Sequence, residues 1–106
     1  MKLQWTQLAV EDREAIFEHI SAENFPASLA LDKVFQQKAA ILESHPGAGR
    51  VGRVLGTREL VAHSHYVLVY DILPDCVRIL RVLHTSRQWP PRPGRARRST
   101  SKRSRK

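Results

Sequence analysis

From Arg50 to Pro90, runs of Val, Leu, Ile and Tyr are interrupted at Leu55-Gly56-Thr57, His63-Ser64-His65 and Leu73-Pro74-Asp75. The interruptions carry turn chemistry, so the stretch predicts four strands joined by tight connections, over about 50–55, 58–63, 66–73 and 76–84. Tyr66–Leu73 is apolar on both parities, which places it centrally, buried by a cover on one face and partly on the other. Arg50–Leu55, with a Gly and two Arg, reads as an edge or irregular strand.

Upstream the period changes. Lys2–Trp5 alternates as a short strand with Leu3 and Trp5 on one side, and Thr6 can cap a helix over about residues 7–23. Glu11, Asp12 and Glu14 suit its early turns, where the helix dipole favours negative charge, and Ile16, Phe17 and Ile20, with Leu8 or Val10, form its apolar stripe. Asn24-Phe25-Pro26 breaks the chain and restarts it, because proline is accepted in a first helical turn and the residue before it avoids helical geometry. Leu31, Val34, Phe35, Ile41 and Leu42 then recur at helical spacing through about Glu43, until His45-Pro46-Gly47-Ala48-Gly49 ends the second helix. The order β-α-α-β-β-β-β predicts an α+β fold: a helical hairpin packed on one face of a small, mainly antiparallel twisted sheet.

Composition changes this picture in one respect. The chain of 106 residues carries a formal charge of +8, which suggests a polyanion partner until the charge is located. Residues 1–89 hold Lys or Arg at 2, 13, 33, 38, 50, 53, 58, 78, 81 and 87 and Asp or Glu at 11, 12, 14, 18, 23, 32, 43, 59, 71 and 75, and are therefore neutral. The whole excess lies in residues 90–106, which contain no acid and almost nothing apolar. The expected organisation is one domain over 1–89 and a disordered basic tail over 90–106, available for electrostatic contact with nucleic acid or an acidic partner. The single cysteine, Cys76, excludes an internal disulfide, and no signal peptide or membrane-length apolar run is present, so a cytoplasmic protein with no membrane association is expected.

Strand parity in 76–84 places Arg78, Leu80, Val82 and His84 on one face and Val77, Ile79, Arg81 and Leu83 on the other. Arg50, Arg53, Arg58, Arg78 or Arg81, His84 and Arg87 are then candidates to line a concave surface and hold a phosphate backbone. RNA cleavage would need an acid, a base and a cation over the phosphate. Arg58, Glu59, Arg81, His84 and Arg87 are the catalytic candidates, with His84 or Glu59 as acid or base and an arginine stabilising charge. The plainer reading of the same residues is cross-strand ion pairs and a histidine that bonds at a strand end. His63 and His65 flank a turn without a third ligand nearby, so neither a metal nor any other cofactor is expected. Trp89, Tyr66 and Tyr70 could stack on bases; the plainer reading has both tyrosines at the edge of the core and Trp89 closing the sheet.

Three segments carry a resemblance: Gly52-Arg-Val-Leu-Gly-Thr-Arg-Glu-Leu-Val, Tyr66-Val-Leu-Val-Tyr, and Ile79-Leu-Arg-Val-Leu-His-Thr-Ser-Arg-Gln-Trp-Pro. With Trp5-Thr-Gln-Leu-Ala, the Pro26 restart and Leu42-Glu-Ser-His-Pro upstream in the right order, residues 2–90 resemble the RelE/ParE superfamily of bacterial toxins, also called plasmid-stabilisation proteins. The resemblance implies the toxin of a type II toxin–antitoxin pair, neutralised by a cognate antitoxin. One branch of the superfamily cleaves mRNA on the ribosome without a metal; the other poisons DNA gyrase. The nucleolytic branch carries a basic residue after the first tyrosine of its Tyr-Arg-Leu-Val-Tyr pattern, where this chain has Val67. The Arg81-Val-Leu-His84 ending is closer to ParE. The expectation is therefore a ParE-like gyrase inhibitor, with Arg50, Arg53, Arg58, Arg81 and Trp89 contacting antitoxin or target. A ribosome-dependent endoribonuclease and a degenerate toxin that only binds antitoxin are the alternatives.

Overall fold

The computed structural model describes residues 1–86; Arg87, Trp89 and the basic segment 90–106 lie outside the described residues. The elements follow the expected order: β1 (Lys2–Trp5), α1 (Gln7–Ser21), α2 (Phe25–Ser44), a 3-10 turn at Pro46–Ala48, β2 (Arg50–Val51), β3 (Arg58–His63), β4 (Tyr66–Ile72) and β5 (Cys76–His84). They form one five-stranded sheet in the order β1-β5-β4-β3-β2, with β1 parallel to β5 and the other neighbours antiparallel. β4 is the central strand.

The helix starts obey local chemistry. The Thr6 hydroxyl accepts from the Ala9 amide at 3.2 Å, and Asn24 Oδ1 accepts from the Ala27 amide at 3.0 Å. Asn24 also donates its amide to Ile20 O, so one residue closes α1 and opens α2. This is why α1 stops at Ser21, two residues before the expected end.

Ala9, Leu31, Phe35, Ala39 and Leu42 of the helices pack on Ala62, Leu68, Tyr70, Val77, Ile79 and Val82 of the sheet. A second buried group, Val67, Val69 and Leu83 with Leu80 against it, lies apart from that core. Alternate residues of β4 thus enter different clusters, which is why its sequence is apolar on both parities.

Three expectations are corrected. The strand expected over 50–55 pairs only at Arg50 and Val51: Gly52 N bonds Thr57 O, Thr57 N bonds Val54 O, and Gly56 takes φ +85°, so the remaining residues form a turn. The uniform parity of β5 fails as well. Val69 pairs with Arg81 while the next residue, Tyr70, pairs with Ile79, so Leu80 is an extra residue in the ladder. Val77, Ile79 and Val82 consequently share the helix-covered core, with a change of parity between them. Finally, Tyr70 is fully buried rather than at the core edge, while Tyr66 is only partly buried.

Candidate functional site

The bulge has a visible partner. β1 accompanies β5 only as far as Trp5 opposite Ile79. Beyond that point groups at the start of α1 take over: Thr6 N donates to Ile79 O, the Thr6 hydroxyl donates to Leu80 O at 3.0 Å, and Asp12 Oδ2 accepts from Val82 N at 2.9 Å. Asp12 also receives Arg81 through a two-pronged bond at 2.8 and 2.9 Å. Those bonds hold the Arg81 guanidinium even more firmly protonated than usual. Asp12 is a partner the sequence did not flag, because sixty-nine residues separate it from Arg81. Arg78 is likewise forked to Asp71, at 3.1 and 2.6 Å.

Arg50, Arg53, Arg58 and Glu59 come together where β2 meets β3. Glu59 is only 2% exposed. Its Oε1 accepts from Arg50 Nη2 at 3.2 Å and Arg53 Nη2 at 3.3 Å, and its Oε2 accepts from the Arg53 amide at 3.1 Å. Burial pushes the Glu59 carboxyl up, but the Arg53 amide and the two guanidiniums outweigh it and hold it below its ordinary value. Among the described residues Arg58 meets no carboxylate; it donates to the Gly49 carbonyl at 3.2 and 2.7 Å and to the Gly47 carbonyl at 3.2 Å. The same loop is pinned from below by Tyr70, whose hydroxyl donates to Pro46 O at 2.7 Å and accepts from Gly49 N at 2.9 Å. A side chain at Gly49 would meet Glu59 O and the Tyr70 hydroxyl under 3 Å, so glycine is needed there for close approach.

Among the described residues, Arg13, Arg78 and Arg81 each have a carboxylate of their own. The β2–β3 corner departs from that balance: Arg50 and Arg53 share one acid and Arg58 bonds to carbonyls. A domain that is neutral in sum is locally cationic at this corner.

His84 is elsewhere. It is exposed, its Nδ1 accepts from Ser86 N at 3.1 Å, its ring stacks on His65 with centroids 5.6 Å apart, and it meets the Tyr66 ring in a T-shaped contact with centroids 5.2 Å apart. It borders an open cleft of about 340 Å³ with Asp12, Ala15, Ile16, His19, Tyr66 and Val82. His84 pairs with Tyr66 and Arg58 pairs with Tyr70. Four residues of strand, roughly 13 Å, therefore separate the two positions. Among the described residues the candidates are dispersed: Glu59 lies beneath arginines, Arg81 is bonded to Asp12 and Arg58 to carbonyls, while Arg87, like Trp89, is outside the described residues. Among the described residues no group of three or more His, Cys, Asp and Glu is arranged to hold a metal, and no helix is long and apolar enough to cross a membrane.

The fold is a small α+β domain, two helices on a five-stranded mixed sheet, and comparison with known proteins gives its family. The sequence model described as "ParE toxin of type II toxin-antitoxin system, parDE" matches residues 3–89. Y4kP of Sinorhizobium fredii (strain NBRC 101917 / NGR234) is 33% identical over 90 residues, covering 84% of this chain and 93% of that protein. A chain in the structure of the chromosomal ParDE system from P. aeruginosa superposes with a TM-score of 0.72 at 26% identity, over 79% of this chain and 95% of that one. The YoeB/ParE toxin from Agrobacterium tumefaciens shares the fold, with a TM-score of 0.57 at 15% identity over 79% of this chain and 98% of that one. This chain belongs to the ParE toxin family of type II toxin–antitoxin systems.

Proposed function

We propose that this toxin inhibits growth in the bacterial cytoplasm by binding an essential target, DNA gyrase, and that a cognate antitoxin encoded beside it holds it inactive. The similar P. aeruginosa structure is of a ParDE system, which supports an antitoxin partner here. The antitoxin contacts the helical hairpin and the exposed β2 edge, and Arg50, Arg53, Arg58, Arg81 and Trp89 are contact residues for the antitoxin or the target. The observation that carries binding over cleavage is the separation of Arg58 from His84 by four positions of β4. The Arg58 guanidinium is bonded to the Gly47 and Gly49 carbonyls and does not line the His84 cleft. Val67 is itself buried, opposite Val61 and Leu83, where a phosphate-binding arginine would be buried too.

A second reading, ribosome-dependent mRNA cleavage, is favoured by one feature: His84, His19 and Tyr66 converge on a single cleft. Induced expression separates the two. Inhibited gyrase supercoiling with intact mRNA is the expected result, and growth arrest should be relieved by co-expressing the neighbouring small reading frame. Discrete mRNA cuts that disappear in His84→Ala would overturn the gyrase reading in favour of the nuclease. Absence of harm in both assays, with antitoxin still bound, would mark a degenerate toxin.

A further inference from the structure

The β2–β3 corner has a two-sided pattern that pairing alone does not require. β2 is the outer strand, with no strand beyond it among the described residues. Its two residues pair as Arg50 opposite Glu59 and Val51 opposite Arg58, and successive residues of a strand point to opposite faces. One face of the edge thus presents the Arg50 and Arg53 guanidiniums, 62% and 50% exposed over a single buried carboxylate. The other face presents Val51, 78% exposed, beside a hollow of about 290 Å³ lined by Val51, Gly56, Thr57, Arg58 and Ile72. Leu55 at the adjoining turn is 99% exposed.

We infer that β2 is the receiving edge for an added strand in which acidic and aliphatic residues alternate. The acids of that strand sit over Arg50 and Arg53, and its aliphatic residues enter the hollow beside Val51 and Ile72. The charge fits, since two guanidiniums sharing one carboxylate retain a net positive charge and unused donors. Glu59 acts as a positioning residue, holding both forks at the edge. A nucleic-acid backbone fits less well: on the second face the Arg58 guanidinium is taken up by the Gly47 and Gly49 carbonyls, Val51 and Ile72 are aliphatic, and no aromatic ring lines the hollow on which a base could stack. The inference rests on the reading that an antitoxin neutralises this chain, and it adds the chemistry of the segment that docks.

The probe is a synthetic decapeptide of alternating Val and Glu, titrated into the full-length chain and followed by calorimetry and amide chemical shifts. Expected are shifts centred on Arg50–Arg53, at least tenfold weaker binding in the double variant Arg50→Glu/Arg53→Glu, and several-fold weaker binding in Arg50→Ala or Arg53→Ala. Each single variant keeps one guanidinium on Glu59 and so keeps the corner folded. A Val-Lys decapeptide and a block peptide of the same Val-Glu composition should bind at least tenfold more weakly. Equal binding of the block peptide, shifts elsewhere on the molecule, or tighter binding of a uridylate decamer at this corner would each overturn the inference. If the peptide fails while the neighbouring antitoxin still neutralises the toxin, the inference falls alone. If the peptide binds as expected and no antitoxin neutralises, the neutralisation reading falls and the edge remains an acidic-peptide site.

Discussion

At the scale of single residues, Glu59 and Tyr70 are polar groups kept in the interior because their bonds are complete. Glu59 has three donors, and its carboxyl is held below the ordinary value. A group with a depressed folded pKa stabilises the fold above its unfolded pKa, about 4.3 for Glu, and loses that contribution as pH falls through the folded value. The thermal stability of the wild type should therefore fall steadily below about pH 4, a range set by the ordinary Glu value. Glu59→Gln should cost about 1–3 kcal/mol at neutral pH and flatten that part of the acid dependence. An unchanged acid profile in the variant would show that other carboxylates dominate. Tyr70→Phe deletes a hydroxyl that bonds both Pro46 O and Gly49 N. The expected loss is about 1–2 kcal/mol, a Tm drop of roughly 5–15 °C in a domain of this size, read by calorimetry. Neither role was visible in the sequence, where Glu59 beside Arg58 looks like any surface pair and Tyr70 like any strand aromatic.

At the scale of elements, the instructive case is β5 with α1. The alternation of Arg78 to His84 specifies a strand, yet a strand's faces are counted from pairing, and one extra residue at Leu80 exchanges them. The bulge is stabilised by Asp12, which takes the Val82 amide and the Arg81 fork. Asp12→Ala should cost about 2–3 kcal/mol and speed hydrogen exchange at the Val82 amide. Asp71→Ala, which frees the more exposed Arg78, should cost under about 1 kcal/mol. Equal costs for the two would show that the Asp12 bond does not hold the bulge. The helices teach a related lesson. Their spacing was legible, but Leu8 and Ile41 are 54% and 42% exposed while Ala9 and Ala39 are fully buried. Small residues at the contact let the helices approach closely, and size-weighted reading of a sequence passes over them.

At the scale of the whole molecule, the family match ends at residue 89, just where the excess positive charge begins. A chain ending at Pro90 should therefore fold with its Tm within about 2 °C of the full chain, since all the strands and helices described end by His84. A larger loss would place residues 91–106 among the determinants of stability. The domain's own charges are segregated despite their zero sum: Glu11, Glu14 and Glu18 share one stretch of α1, while at the β2–β3 corner two arginines share one buried acid and a third bonds to carbonyls. Only the fold brings Arg50 and Arg53 onto Glu59 and sets Val51 beside Ile72.

By itself the sequence determined the element order, the helical hairpin and the central place of Tyr66–Ile72, because periodicity, caps and turn residues act within a few positions of one another; the toxin superfamily entered as a resemblance of three short segments. It could not determine which arginines are neutralised or where His84 sits. Arg81 finds Asp12 and Arg58 reaches the Gly49 carbonyl only once the strands have paired, and His84 reaches the α1 cleft across a bulge that adjacent residues do not encode. Local chemistry chose the parts; pairing register and close packing between distant segments decided which charges remain available to a partner.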